Sequence, residues 1–300
     1  MTKSITPSPK DSKLGFYLLY TLICLIWGST WLVIHIGAES GLPPFSGGGL
    51  RFCLATILIW AYVLFKKVEL PKSWNEFRSV LIVGLLSNGI SFGIVYSTSK
   101  FIPSGLGAVI FGTMPLLTAT ISHWAFRSQK LSRTRIIGII VGILGIATIF
   151  YPQFGTLDSE HIWAMLVLLI SPTVSAFSAV ITKRSTQEVH PIMINAITTS
   201  VGAIILGSIA LLTEPVGSIA FDLTQVWTIA YLAIIGTIVT FGIYFRLIKE
   251  TSAVTMSYVA IITPMIAVLV GWFFGHEHLD YYSLAGSVLV VTGVGLSLRM

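Results

Sequence analysis

The residues of this chain best suited to chemistry are single polar side chains set within long apolar stretches. Arg51 is the one charged residue between Phe45 and Phe65. It stands six residues after Phe45, or about 9 Å along a helix that rises 1.5 Å per residue. A guanidinium binds carboxylates through two parallel hydrogen bonds, so Arg51 is predicted to attract or bind an anionic group of a small molecule. The alternative is that its long stem carries the charge back to the end of the stretch.

Two tryptophans point to a cavity in a different stretch, residues 14–38. Trp27 lies in its middle, and Trp31 follows one helical turn later on the same face. An indole ring in such surroundings needs either a hydrogen-bond partner or a wet cavity. Trp27 and Trp31 are therefore predicted to line a binding site, with close packing between helices as the alternative.

Further polar residues lie in matching apolar stretches and are predicted to face the same site. They are Asn88, Ser91 and Tyr96 in residues 79–99, Thr240 and Tyr244 in residues 223–245, and Tyr258 in residues 251–276. The alternative role for Asn88 is a hydrogen bond between helices, which contributes modestly in membranes.

Composition identifies the class of protein that contains these stretches. Of the 300 residues, 54% are hydrophobic and 10% are charged, whereas soluble domains carry about 25% charged residues. A formal charge of +6 would suggest nucleic-acid binding in a soluble protein. Here the charges lie between apolar runs, so the predicted partner is the lipid bilayer and not nucleic acid.

The apolar stretches are each about one membrane span long, which for a helix is about 20 residues. They cover residues 14–38, 45–65, 79–99, 101–126, 136–157, 161–182, 189–213, 223–245, 251–276 and 281–298. Helices and closed barrels are the structures that span membranes, and no stretch alternates like a barrel strand. The sequence predicts an all-α integral membrane protein with ten transmembrane helices after a tail formed by residues 1–13.

The distribution of basic residues predicts the orientation. With the N-terminus in the cytoplasm, 16 of the 18 Lys and Arg residues fall on the cytoplasmic side, as the positive-inside rule requires. Both termini are predicted to be cytoplasmic.

Similar residues recur at a near-constant spacing. Pro115 and Pro264 are 149 residues apart, and Gly138 and Gly145 precede Gly286 and Gly293 by 148. The chain is therefore predicted to contain two five-helix repeats, residues 14–151 and 161–299. Because five is odd, the second repeat enters the membrane from the opposite side. Proline removes a helix hydrogen bond, so Pro115 and Pro264 are predicted gating or hinge points.

Several short motifs resemble one known family. They are Trp27-Gly28-Ser29-Thr30-Trp31, Leu50-Arg51-Phe52, Pro103-Ser104-Gly105 and Gly275-His276-Glu277-His278-Leu279. In this order they resemble the EamA family of the drug/metabolite transporter superfamily across essentially the whole chain, and most of all its YedA-like bacterial inner-membrane permeases. The resemblance implies a small-metabolite permease of the bacterial inner membrane, commonly an exporter of amino acids or related compounds. The chain departs from internal symmetry where Ser128 takes the first-half position that matches Glu277.

An inverted repeat favours a secondary transporter that works by alternating access, with substrate bound near the midplane. The alternatives are a channel-like facilitator and an intramembrane enzyme. The phosphate-binding and hydrolase motifs of ATP-driven pumps and enzymes are missing from the sequence, so the chain is predicted not to be an enzyme.

The sequence indicates less about cofactors and coupling ions than about the fold. The sequence predicts no cofactor, and His276 and His278 alone make a poor metal site. His35 and Glu39 are the candidates for proton coupling, and we expect coupling to be weak or movement to be facilitated. No oligomeric state is predicted.

Overall fold

The computed structural model of the chain describes residues 9–99, 101, 107, 110–126, 132–156, 159–215, 217, 219–266 and 281–298. Every regular element in these ranges is a helix. Six helices of the described chain are long and apolar enough to cross a membrane. The prediction of an all-α membrane protein is thereby confirmed.

The helices are numbered in chain order. The six long ones are α1 (Pro9–Glu39), α2 (Pro44–Lys66), α3 (Trp74–Thr98), α6 (Ser159–Ser185), α7 (Pro191–Thr213) and α8 (Leu223–Glu250). The shorter ones are α4 (Met114–Phe126), α5 (Arg133–Ile149), α9 (Ala253–Ile266) and α10 (Tyr281–Leu298).

The start of α2 is held by a residue from the end of α7. Pro44 occupies the first turn of α2, where a proline leaves no donor unpaired. The carboxylate of Glu214 then accepts hydrogen bonds from the backbone N–H groups of Phe45 and Ser46, at 2.8 and 2.7 Å. This carboxylate satisfies free donors at the positive end of the helix, and it ties the N-terminus of α2 to the C-terminus of α7.

The helical structure of residues 110–126 is interrupted once. The chain turns at Gly112 and Thr113, and α4 begins at Met114. Pro115 lies in the first turn of α4, where its missing N–H leaves no further donor unpaired. Pro264 lies near the end of the described part of α9.

Two of the long helices contain a π-helical segment, Leu85–Ser91 in α3 and Ile234–Val239 in α8. Their first residues are 149 positions apart, which is the spacing of Pro115 and Pro264. A π turn holds an extra residue, interrupts the usual backbone hydrogen bonds and is frequent at functional sites.

Glycines allow two helix pairs to pack with their backbones in close contact. A Cβ atom on Gly138 would lie 2.6 Å from the carbonyl oxygen of Gly293, and one on Gly145 would lie 2.7 Å from that of Gly286. These contacts show that α5 and α10 run antiparallel, because the residue numbers increase along one helix as they decrease along the other. In the same way α2 and α7 run antiparallel, with Gly49 against Gly207 and Ser46 against Glu214.

Candidate functional site

A cavity of about 160 Å³ lies among the helices. Most of its lining comes from α1, α3, α6, α8 and α9, and α2 contributes Arg51. The lining combines aromatic rings, hydroxyl groups and this single guanidinium. Such a mixture of apolar walls with few placed polar groups is typical of small-molecule sites.

The side chain of Arg51 is buried, with 1% of its surface exposed. Its Nε donates a hydrogen bond to the hydroxyl of Thr237 at 2.8 Å, and its Nη2 donates to the carbonyl oxygen of Gly236 at 3.1 Å. Both acceptors belong to the π segment of α8. The guanidinium also lies 5.3 and 5.0 Å from the ring centres of Phe52 and Phe92. The side chain of Arg51 therefore points into the protein, towards the π segment of α8.

The charge of Arg51 is not balanced within the described part of the chain, where no carboxylate lies within ion-pair distance of it. Its Nη1 is buried and makes no hydrogen bond there. A buried cation without a partner is costly. Since Arg51 lines the cavity, a bound anion is a suitable partner.

Aromatic rings connect Arg51 to the far side of the cavity. The ring of Phe92 packs on that of Phe241 at 6.1 Å between centroids, and Phe241 packs on Trp27 at 5.6 Å. Trp27 also contacts Tyr244, at 5.6 Å. One helical turn after Trp27, Trp31 packs edge-on against Phe111, with 5.7 Å between the ring centroids. These rings form an apolar wall that suits the body of an amphipathic molecule.

A stripe of hydroxyls on α6 is one part of the site that sequence analysis missed, and three of its members, Ser175, Ser178 and Thr182, line the cavity. Ser171, Ser175, Ser178 and Thr182 recur at intervals of four, three and four residues, which places them on one helical face. The hydroxyl of Ser91 on α3 lies 2.7 Å from those of both Ser171 and Ser175. The regular spacing was the signal that could have identified the stripe.

Five of the predicted site residues line this cavity together: Trp27, Trp31, Arg51, Ser91 and Tyr244. They come from four helices: the consecutive α1, α2 and α3, and α8 from the second half of the chain. The polar and aromatic interruptions of these apolar stretches thus meet in one place.

The other four predicted binding residues do not line the cavity. Asn88 is buried against Gly202 of α7, and Thr240 donates its hydroxyl proton to the carbonyl oxygen of Ile235. Tyr96 packs on Gly48 beside a separate small cavity of about 20 Å³. The ring of Tyr258 packs in an apolar cluster that includes Ile139.

The two predicted hinge prolines lie beside the cavity. Proline cannot donate to the carbonyl four residues earlier, and those carbonyls belong to Phe111 for Pro115 and to Ala260 for Pro264. Both Phe111 and Ala260 line the cavity. The backbone is therefore interrupted next to the site in both halves of the sequence.

The remaining candidates lie at its margin or outside the described residues. Glu39 ends α1 and is not part of the lining, and His35 lies in the same helix with a side chain outside the described residues. Ser128, His276, Glu277 and His278 also lie outside them. No group of three or more His, Cys, Asp or Glu side chains that could hold a metal occurs where side chains are described.

The chain is similar to several bacterial transporters. It is 31% identical over 258 residues to the uncharacterized inner membrane transporter YedA of Escherichia coli K12, covering 85% of this chain and 81% of that protein. It is 24% identical over 272 residues to the uncharacterized transporter YoaV of Bacillus subtilis (91% and 92% covered). It is 25% identical over 289 residues to protein PagO of Salmonella typhimurium (95% and 93% covered).

A solved crystal structure shares the fold, with a TM-score of 0.79 and 17% identity over 95% of this chain and 97% of that one. The EamA-like transporter family matches the chain twice, over residues 14–151 and 162–299. The two matches together span most of the sequence and both sides of the cavity. This chain therefore belongs to the EamA-like transporter family.

Proposed function

We propose that this protein is a secondary transporter that moves small carboxylate-bearing metabolites, such as amino acids or related compounds, by alternating access. We further propose that it acts as an exporter in the bacterial inner membrane, with both termini in the cytoplasm. The observation that carries the proposal is Arg51, whose Nη1 is buried without a partner at the cavity. An ionisable side chain at membrane depth marks a pathway or binding site by default.

The apolar wall of aromatic rings suits one end of an amphipathic substrate, and Arg51 suits the other. A carboxylate that binds Nη1 would balance the charge of the guanidinium and gain a charge-assisted hydrogen bond. The rings of Trp27, Phe241 and Tyr244 would contact the apolar remainder. Neither a channel nor an intramembrane enzyme is favoured by a specific observation at this site.

The contacts between α5 and α10 support two inverted repeats, residues 14–151 and 161–299. Under the 148-residue correspondence, the contact of Gly138 with Gly293 maps onto the contact of Gly286 with Gly145. A reciprocal pair of contacts is what a two-fold axis between equivalent units produces. Because the two helices run antiparallel, that axis lies in the membrane plane, as in transporters built from inverted repeats.

Proton coupling is proposed to be weak or absent. The described residues that line the cavity include no Asp, Glu or His, and proton-coupled carriers commonly use such groups. An imposed pH gradient should therefore accelerate exchange little. A strong acceleration that Glu39→Gln or His35→Ala abolishes would contradict this part of the proposal.

Exchange of labelled amino acids in proteoliposomes tests the proposal, using Trp27→Ala and Tyr244→Ala. We expect both variants to reach the membrane at normal abundance and to exchange substrate at least about tenfold more slowly, since each loses a large contact surface. Trp74→Ala is the matched control, because Trp74 is exposed at the start of α3. Activity that falls only in proportion to abundance would instead indicate a packing role.

A further inference from the structure

Hydroxyl groups of the cavity lining have their protons committed to backbone carbonyls. In each case the hydroxyl must be the donor, because a carbonyl oxygen only accepts. We name five such residues the acceptor wall: Thr30, Ser87, Ser178, Thr182 and Ser257. Their acceptors are the carbonyl oxygens of Trp27, Val83 (for both Ser87 and Ser178), Ser178 and Val254, at 2.7 to 3.3 Å.

This commitment decides what the wall offers to a ligand. A hydroxyl has one proton and two lone pairs, so a hydroxyl that donates to a backbone carbonyl presents its oxygen to the cavity. The acceptor wall therefore favours ligand N–H and O–H groups. A ligand oxygen that can only accept would meet another acceptor and remain unpaired, which is unfavourable when buried.

Arg51 provides the opposite chemistry at another part of the lining. Among the described lining residues it is the only charged one, and its Nη1 is a donor without a partner. A well-matched ligand therefore needs an anionic acceptor for Arg51 and separate donors for the acceptor wall.

We propose that the acceptor wall determines substrate specificity by selecting carboxylates that also carry an ammonium or hydroxyl donor. Matched carboxylates whose second group is only an acceptor are rejected. This inference rests on the proposed function, since it assumes that the carboxylate binds at Arg51. It adds a rule for the remaining polar group: donor-bearing acids bind whether the donor is nitrogen or oxygen.

Calorimetric titration of the purified full-length protein in detergent tests the rule with four ligands that share one 3-phenylpropionate skeleton. They are L-phenylalanine, L-3-phenyllactate, 2-methoxy-3-phenylpropionate and 3-phenylpropionate, and the leucine-derived set is titrated in parallel. We expect the amino and hydroxy acids to bind at least about tenfold more tightly than the methoxy acid, a difference of about 1.4 kcal/mol. Equal affinity of the hydroxy and methoxy acids in both sets would overturn the proposal, as would binding by none of the eight compounds.

Variants show whether the wall causes the preference. Thr182→Val keeps the side-chain shape and removes the hydroxyl, and Ser178→Ala removes a second one. Both should reduce the ratio of hydroxy-acid to methoxy-acid affinity at least about threefold, because the wall loses acceptors. Thr148→Val is the matched control, since Thr148 makes the same kind of bond to the carbonyl of Leu144 on the exposed side of α5. A ratio unchanged in both wall variants would overturn the assignment of specificity to the wall.

Failure of the proposed function gives a different result. If donor-bearing acids bind with the expected ranking but no compound is exchanged across proteoliposomes, the specificity rule holds and transport does not. If exchange occurs with equal preference for hydroxy and methoxy acids, transport holds and the rule is wrong. Arg51→Gln should weaken all four ligands by a similar factor and leave their ranking unchanged.

Discussion

The two π-helical segments occupy matching positions in α3 and α8, yet they are used in different ways. The α8 segment binds side chains from α2 and α7: Arg51 donates to Thr237 and Gly236, and the amide of Asn195 donates to the carbonyl oxygen of Ile238 at 3.1 Å. In the α3 segment the hydroxyl of Ser171 donates to the carbonyl oxygen of Ser91. One segment holds a cation and the other holds neutral hydroxyls.

This difference teaches how a duplicated scaffold can produce an asymmetric site. The π distortion of the backbone occurs in both halves, and it leaves carbonyl groups that need donors. The residue that supplies the donor differs. Pro44 and Pro191, which begin α2 and α7, are 147 positions apart, and at this spacing Arg51 corresponds to Thr198. Among the described residues that line the cavity, charge is thus present on one side only.

The largest expected effect comes from removing this charge. Arg51→Gln should lower kcat/KM for exchange about 10- to 100-fold, because hydrogen bonds to charged groups contribute about 1.5–3 kcal/mol. Arg51→Lys should mainly raise KM, since an ammonium lacks the planar fork that binds a carboxylate. The measurement is initial exchange rate against substrate concentration, normalised to protein abundance.

Thr198→Arg places a cation at the equivalent position, and it is therefore the variant to compare with the two Arg51 variants. Thr198 is buried and contacts Gly84 closely, so a second cation there cannot replace the first. Unchanged exchange in both Arg51 variants would mean that the asymmetry of charge has no role in transport.

A smaller effect is expected from two glycines of α3: Gly84, which directly precedes the π segment, and Gly89, which lies within it. A Cβ atom on Gly84 would lie 2.9 Å from the Cα atom of Thr198, whereas one on Gly89 would meet only the end of the Ile205 side chain. Backbone cannot yield as a side chain can, and overpacking costs about 1–3 kcal/mol. Gly84→Ala should therefore lower the Tm in detergent by several degrees, and Gly89→Ala should leave it near that of the native protein. Equal Tm values for the two variants would show that α3 and α7 separate easily.

Much of the framework follows directly from the sequence. Long apolar stretches bounded by charges specify membrane helices, because a bilayer selects for continuous apolar length. Trp27, Trp31, Arg51 and Tyr244 were identifiable because each interrupts such a stretch with a group that is costly to bury without a function. The family follows from short motifs in the right order.

The parts that sequence analysis missed have physical reasons. A serine donates to its own helix backbone and tolerates lipid surroundings, so no single hydroxyl of the α6 stripe stands out. The position of Asn88 depends on the π segment, whose extra residue rotates the flanking residues by about 100° relative to a regular helix. Asn88 was predicted to face the site because it is polar and lies inside an apolar stretch, whereas its side chain lies against Gly202.

The smallest expected effect concerns the two residues at matching positions of the segments, Asn88 and Thr237. Both amide atoms of Asn88 are buried and make no hydrogen bond with the described residues. The hydroxyl of Thr237, in contrast, accepts from Arg51 and donates to the carbonyl oxygen of Leu232. The unpaired amide of Asn88 therefore destabilises this conformation, and the paired hydroxyl of Thr237 stabilises it.

Asn88→Leu should therefore raise the Tm, because an unpaired buried polar group costs about 1–3 kcal/mol and leucine has a similar volume. Thr237→Val should lower it, because Nε of Arg51 loses its acceptor. We expect exchange to fall severalfold in Asn88→Leu despite the gain in stability, since an amide kept at such a cost has a partner in another state of the cycle. The measurements are thermal unfolding curves and exchange rates of both variants, which test the predicted changes in stability and in transport. A lower Tm for Asn88→Leu would mean that the amide is bonded in the state described, and undiminished exchange would remove Asn88 from the transport cycle.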